Sequence, residues 1–247
     1  MKYFAKIKYV GTDFHGFQYQ PNARTVQGVL TDAFCELFFG KAKITGCSRT
    51  DAGVHANEYC MTVECEGATV PAEKLPVAIM RYLPKDVAVV YAEVCEDCFH
   101  PRYSVKSKEY LYRIVNTRTN DPFEADRAWF VPKFIGDEEI ALMRSAAEYM
   151  VGYKDFASFM AEGSDVADTC RNLMYIDISK NEDLISFKVC ADGFLYNMVR
   201  IIVGTLIDVA FGRISPEQIP KIIDSKNRAL AGMTAPPEGL YLNRVDY

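Results

Sequence analysis

From Leu195 to Phe211 the chain is almost continuously apolar, and a segment of this kind has to be buried. It reads as one long helix. Its longest apolar run, Ile201 to Phe211, does not reach the length of a membrane span and is interrupted by Asp208, so protein rather than lipid must cover it. In its middle stands Arg200, within Met198-Val199-Arg200-Ile201-Ile202. A cation there needs a partner. The alternative is that Arg200 faces outward, with its stem snorkelling to water.

Strands and helices interleave on both sides of the midpoint. Residues 2–10 alternate like a strand. Val26, Val29, Leu30, Ala33, Phe34, Leu37 and Phe38 then recur at helical spacing, with Thr25 as N-cap and Gly40 as stop. The aromatic stripe on this helix reads as core packing. Residues 42–45 and 59–64 are strand-like and bracket a loop; a helix over 71–82 and a strand over 87–94 follow. In the second half, 108–115 is a strand with Tyr110 and Tyr112 on one face. Residues 137–150 form an amphipathic helix, and 171–179 with 184–191 form a hairpin. A short helix over 216–224 and a last strand over 239–247 close the pattern. No low-complexity linker separates the halves. The expected fold class is therefore α+β: two sandwich-like halves, 1–105 and 106–247, with mainly antiparallel sheets and a cleft between them.

The loop between the strands at 42–45 and 59–64 carries Arg49-Thr50-Asp51-Ala52-Gly53-Val54-His55. A single carboxylate on a Gly-flanked turn can serve as nucleophile or base toward a sugar or a base ring. It can equally be an Asx-type turn that only satisfies backbone groups. Gly53 permits the turn, and His55 reads as a structural residue that fixes the loop.

The formal net charge is -5, whereas general nucleic-acid binders are usually basic. Charge distribution counts for more than its sum, and a local basic cleft still attracts phosphate. Arg24, Arg49, Arg102, Lys106, Lys108, Arg171 and Arg200 could line one, while acidic residues gather at 93–97 and 137–139. The eight cysteines follow no disulfide rhythm, and Met1-Lys2-Tyr3 lead directly into a strand, so a reducing cytoplasm is expected. Cys95 and Cys98 form a CxxC that lacks the second pair a zinc site needs.

Several motifs occur in a fixed order: Tyr9-Val10-Gly11-Thr12-Asp13-Phe14-His15-Gly16-Phe17-Gln18, Thr25-Val26-Gln27-Gly28, the Asp51 loop, Phe99-His100-Pro101-Arg102 and Lys108-Glu109-Tyr110-Leu111-Tyr112. Gly193-Phe194-Leu195-Tyr196-Asn197-Met198-Val199-Arg200 and Ala235-Pro236-Pro237-Glu238-Gly239-Leu240-Tyr241-Leu242 complete the series. Together they resemble the pseudouridine synthases, specifically the branch that modifies the anticodon stem-loop of tRNA, from the first strand to the last residue.

The resemblance implies a cofactor-free and metal-free isomerisation of uridine at positions 38 to 40. The C1′–N1 bond breaks, the base turns, and the link re-forms through C5. Asp51 matches the catalytic carboxylate and Arg200 its ion-pair partner, which would keep Asp51 ionised in a closed pocket. Tyr110 matches a tyrosine that stacks on the uracil and assists at C5. Arg49 would fill the space left by the flipped nucleotide, and Leu240 would wall the pocket. Arg24, Arg102 and Lys108 would contact the RNA in a central cleft. A homodimer on which one tRNA touches both subunits is also implied, with no membrane association. The chain departs from the family pattern at Ser48, Phe17 and Pro101, where glycine, tryptophan and a small residue are usual. A non-catalytic RNA-binding protein is the competing reading from another class. A glycosidase-like hydrolase would need a second carboxylate that the motifs lack.

Overall fold

The computed structural model describes residues 1–65, 69–163 and 166–247. Alternation at the start produces β1 (Lys2–Tyr9), which buries Tyr3, Ala5, Ile7 and Tyr9. Thr25 is extended, and its side chain accepts the Gly28 N–H to open α1 (Val26–Phe38). The stop comes one residue earlier than the sequence suggests. Phe39 (φ 52°), rather than Gly40, takes the left-handed conformation, and the Gly40 N–H closes on the Cys35 carbonyl. Phe34 and Phe38 stack with each other, and Phe38 stacks with Tyr3, so the aromatic stripe is core.

After β2 (Ala42–Gly46) and β3 (His55–Cys65), the helix expected over 71–82 is broken into pieces. Only α2 (Leu75–Ile79) is α-helical, between 3₁₀ turns at Ala72–Lys74 and Met80–Tyr82. Pro76 explains the first break: its ring would meet the residue 72 carbonyl in a continuous α-helix. The strand β4 (Val87–Val94) has the expected bounds. Then follow β5 (Ser107–Val115), β6 (Trp129–Phe130), α3 (Asp137–Glu148) and β7 (Gly152–Asp155). The hairpin is β8 (Cys170–Asn181) and β9 (Leu184–Ala191). The apolar helix is α4 (Met198–Ala210), which starts three residues later than the sequence suggests because Asn197 is left-handed (φ 58°) and cannot continue a helix. Last come α5 (Ile219–Ser225) and β10 (Leu240–Asp246).

The chain divides into two compact units, Met1–Lys106 with Tyr241–Tyr247, and Ser107–Leu240. A cut at 105/106 would leave the last strand in the second half. It packs in the first because β10 runs parallel to β3, Tyr241 opposite His55 and Leu242 opposite Ala56. In this unit β1 lies between β4 and β3, antiparallel to both. β2 pairs with β3 over Met61–Cys65 and β10 with its beginning. The chain leaves the sheet between these two pairings, and there the Asp51 loop emerges. Beyond Leu242, β10 is tied to β3 by side chains: Asn57 Nδ2 donates to Asn243 Oδ1 (2.9 Å), and the Val245 N–H donates to Glu58 (3.2 Å).

The second unit is built on antiparallel neighbours in the order β5-β9-β8-β7, with the short β6 parallel to β5. The helix α4 packs against α3, and every one of its residues except Arg200 is buried. Among the described residues no helix is long and apolar enough to cross a membrane. All eight cysteines are free thiols. Cys95 donates to the Lys2 carbonyl, a part-buried contact between distant segments, and Cys98 to Glu96 on the surface.

Candidate active site

Asp51 is set by the backbone on either side of it. The Cys47 N–H donates to the Cys60 carbonyl (2.9 Å), extending the β2–β3 ladder by one residue. Tyr59 Oη then bonds the Ser48 carbonyl, and the chain turns away. Thr50 is buried: its carbonyl accepts the Phe17 N–H (3.1 Å) and its hydroxyl meets Tyr9 Oη (2.7 Å). The Val54 N–H closes the turn on the Asp51 carbonyl (3.2 Å), with Gly53 at φ 79°. That positive φ is the reason glycine is needed there.

A second loop, residues 11–17, backs the first. The Gly53 N–H donates to the Phe14 carbonyl, and a side chain on Gly16 (φ 86°) would lie 2.6 Å from the Thr50 carbonyl. A Cβ on Gly11 would come within 1.9 Å of the Val54 carbonyl. His55, 1% exposed, stacks on Tyr241 (4.6 Å), and its Nδ1 accepts the Gly11 N–H (2.9 Å). An accepting Nδ1 carries no proton, so His55 serves here as a neutral strut between the two loops. The turn is therefore fixed at Thr50, Gly53 and His55, and the half-buried Asp51 stands between fixed neighbours.

In the second unit Tyr110 is buried on β5, opposite Val189 of β9, with its ring edge-on to Phe194 (5.0 Å, 87°). Arg200 is half-buried on the first turn of α4. Its Nε donates to the Ala235 carbonyl (2.7 Å) and its Nη1 to Asn197 Oδ1 (2.7 Å). Ala235 belongs to a strap, residues 231–236, laid along α4. The Ala235 N–H donates to the Arg200 carbonyl (3.1 Å) and the Gly232 N–H to Thr205 Oγ1 (2.9 Å). Arg228 grips the strap through the Gly232 carbonyl (2.9 Å) and Thr234 Oγ1 (3.0 Å); burial lowers its pKa. Two glycines allow the close approach. A Cβ on Gly204 would lie 1.9 Å from the Met233 carbonyl, and one on Gly232 would lie 2.6 Å from Thr205 Cα. Tyr112 Oη donates to the Pro236 carbonyl (2.8 Å), and Gly239 sits against the Tyr112 ring, which leads the chain to the buried Leu240. Burial, with the nearby Glu238 carboxylate, raises the Tyr112 pKa.

Of the residues singled out in the sequence, Asp51, Arg49, Arg24 and Arg102 belong to the first unit, and Tyr110, Lys108, Arg200 and Leu240 to the second. Arg49 is exposed beside Asp51 and engages no acceptor among the described residues. Arg24 lies over the Phe14 ring (4.0 Å) and makes a two-pronged ion pair with Asp86 (2.9 and 3.0 Å), so its charge is largely matched within the fold. Arg102 is exposed on a turn capped by His100 Nδ1, next to the exposed Tyr103. Lys108 is half-buried on β5, one position before the buried Glu109, which accepts a hydrogen bond from Tyr175 Oη. Phe194, Asn197, Ala235 and Pro236 stand within the ordered motifs, but nothing in the sequence gave them or the strap a role. The signal for the strap was the small pair Gly204-Thr205 inside an otherwise bulky helix.

The chain as a whole is similar to known proteins. The family model described as tRNA pseudouridine synthase matches residues 5–104 and 146–247, which sets the class. A tRNA pseudouridine synthase A of Thermoanaerobacter sp. (strain X514) is 45% identical over 241 residues, 98% of this chain and 97% of that protein. Proteins of the same name from Bacillus subtilis (strain 168) and Clostridium botulinum (strain Eklund 17B / Type B) are 39% and 41% identical, over 100% and 98% of this chain and 99% and 97% of their own length. The chain belongs to the tRNA pseudouridine synthase A family.

Proposed function

We propose that this protein isomerises uridine to pseudouridine in tRNA, acting on positions 38 to 40 of the anticodon stem-loop. The observation that carries the reading is the Asp51 turn, held on both sides by buried contacts, in a chain matched to this family over nearly its whole length. Asp51 supplies the carboxylate that acts at the sugar–base junction. The C1′–N1 bond breaks and C1′ bonds to C5; the hydrogen on C5 leaves to solvent as a proton, and N1, which keeps the electron pair of the broken bond, takes up a proton in exchange. Atoms and electrons balance without a cofactor or metal, because substrate and product are isomers.

In this reading Arg200 pairs with Asp51 and favours its ionised form, offsetting the desolvation of a closed pocket. Tyr110, edge-on to Phe194, offers its ring to the extruded uracil and its hydroxyl near C5. Leu240 walls the pocket. Arg49, exposed beside Asp51, enters the gap that the flipped nucleotide leaves; extrusion costs a few kcal/mol, so a cation that occupies the gap favours the open form. Arg102 and Lys108 contact the phosphate backbone, with Arg24 joining them through whatever charge Asp86 leaves unmatched. The working form is a homodimer in the cytoplasm, one tRNA touching both subunits.

The test is tritium release from tRNA transcripts labelled at C5 of uridine. Wild type releases tritium; Asp51→Asn, of nearly the same shape, releases none and still folds and binds tRNA. Turnover by Asp51→Asn near the wild-type rate would refute the assignment. Binding by wild type with no release from any tRNA would favour a non-catalytic RNA-binding protein.

A further inference from the structure

We infer that Asn197 is a positioning residue that fixes the plane of the Arg200 guanidinium; the inference rests on the reading of Arg200 as the partner of Asp51. Asn197 stands at the N-cap position of α4, where a residue is normally extended and folds its side chain back onto a first-turn N–H. It does neither. Its backbone is left-handed (φ 58°, ψ 11°) and its side chain makes no capping hydrogen bond. Oδ1 accepts instead from Arg200 Nη1 at 2.7 Å. A guanidinium only donates, so the amide atom facing it is the carbonyl oxygen.

The geometry of the two anchors gives the contact its meaning. Ala235 O holds Nε and Asn197 Oδ1 holds Nη1, from two different chain segments. One acceptor would leave the planar group free to swing about its bond. Two acceptors on separate nitrogens fix both its plane and its direction. The helix forgoes an N-terminal cap, and the side chain that could have supplied it orients a cation.

Glycine separates the two properties of Asn197, because it adopts the left-handed backbone freely and has no acceptor. Aspartate keeps both the backbone tolerance and the acceptor. The experiment uses the full-length enzyme with tritiated tRNA: single-turnover rate at saturating enzyme, tRNA Kd, and thermal melting. The proteins are wild type, Asn197→Gly, Asn197→Asp, Arg200→Met and the Asn197→Gly/Arg200→Met double variant.

Asn197→Gly is expected to melt as wild type does and bind tRNA with the same Kd, yet react about 10- to 100-fold more slowly, as for a lost hydrogen bond to a charged group. Asn197→Asp stays closer to wild type than Asn197→Gly. The double variant is no slower than Arg200→Met alone, because the side chain works only through the guanidinium. A wild-type rate in Asn197→Gly would mean that only the backbone conformation matters, and the inference would fall. It would also fall if Asn197→Asp were no better than Asn197→Gly, or if the two losses multiplied. Should Arg200→Met itself react at the wild-type rate, the reading of Arg200 would fail first, and visibly on its own.

Discussion

Gly204→Ala sets helix propensity against packing. Gly204 is buried in α4, and alanine is favoured over glycine in a helix interior by about 1 kcal/mol, so propensity alone forecasts a stabler protein. The structure forecasts the reverse. The new methyl would lie 1.9 Å from the Met233 carbonyl oxygen and 2.9 Å from its carbon, so the strap would have to retreat by more than about 1 Å. That shift stretches three hydrogen bonds: Gly232 N–H to Thr205 Oγ1, Ala235 N–H to the Arg200 carbonyl, and Arg200 Nε to the Ala235 carbonyl. Overpacking costs about 1–3 kcal/mol and the weakened bonds a further 1–3 kcal/mol. After the propensity gain, the net loss is roughly 1–5 kcal/mol. At about 2–4 °C per kcal/mol for a chain of this size, melting falls by roughly 2–20 °C. Thermal melting followed by circular dichroism measures the stability, and single-turnover tritium release measures activity, which should fall with the displaced Ala235 carbonyl. A variant that melts at or above the wild-type temperature with full activity would refute the account of the strap.

Because RNA binding is read as phosphate-driven, log Kd for tRNA should rise linearly with log salt, by roughly 0.7–0.9 per phosphate contact; a flat response in filter binding would mean that no basic cleft is used. Asp155 accepts hydrogen bonds from Lys226 and Thr169, chiefly the former, and its pKa is lowered. Its folded pKa lies below the unfolded value, so the contribution is present above about pH 4 and disappears as pH falls through the folded pKa. Denaturant titrations of Lys226→Met should therefore show a deficit against wild type at pH 7 that closes in strong acid; a deficit constant with pH would show that the ion pair is not its source.

Much of the fold could be read in local pattern, because the period of apolar residues follows directly from the geometry of one helix or strand. Thr25 and the stripe Val26 to Phe38 define α1, and the run ending at Val94 defines β4. Boundaries were legible only where a local rule set them. Phe39 ends α1 in a conformation that glycine would have adopted more easily, since the Gly40 N–H is then in place to cap the Cys35 carbonyl. Pro76 breaks the segment 71–82, a rule available in the sequence but outweighed there by its apolar spacing.

The site divides in the same way. Asp51 and its glycine were legible because a tight turn imposes residue types at fixed offsets, and the oddity of a cation in an apolar helix drew attention to Arg200. The residues that hold Arg200 were not legible. Ala235 contributes only a backbone carbonyl, which every residue possesses, and Asn197 differs from an ordinary cap only in where its amide points. The same holds for the last strand: seven residues at the end of the chain return to the first unit because a parallel register with His55 and Ala56 buries Leu242 there. By itself the sequence determined most of the elements, the Asp51 turn and the family. Only the tertiary structure decided which strand lies beside which and what grips the arginine, because those outcomes depend on contacts between residues far apart in the chain, where no local period or spacing records them.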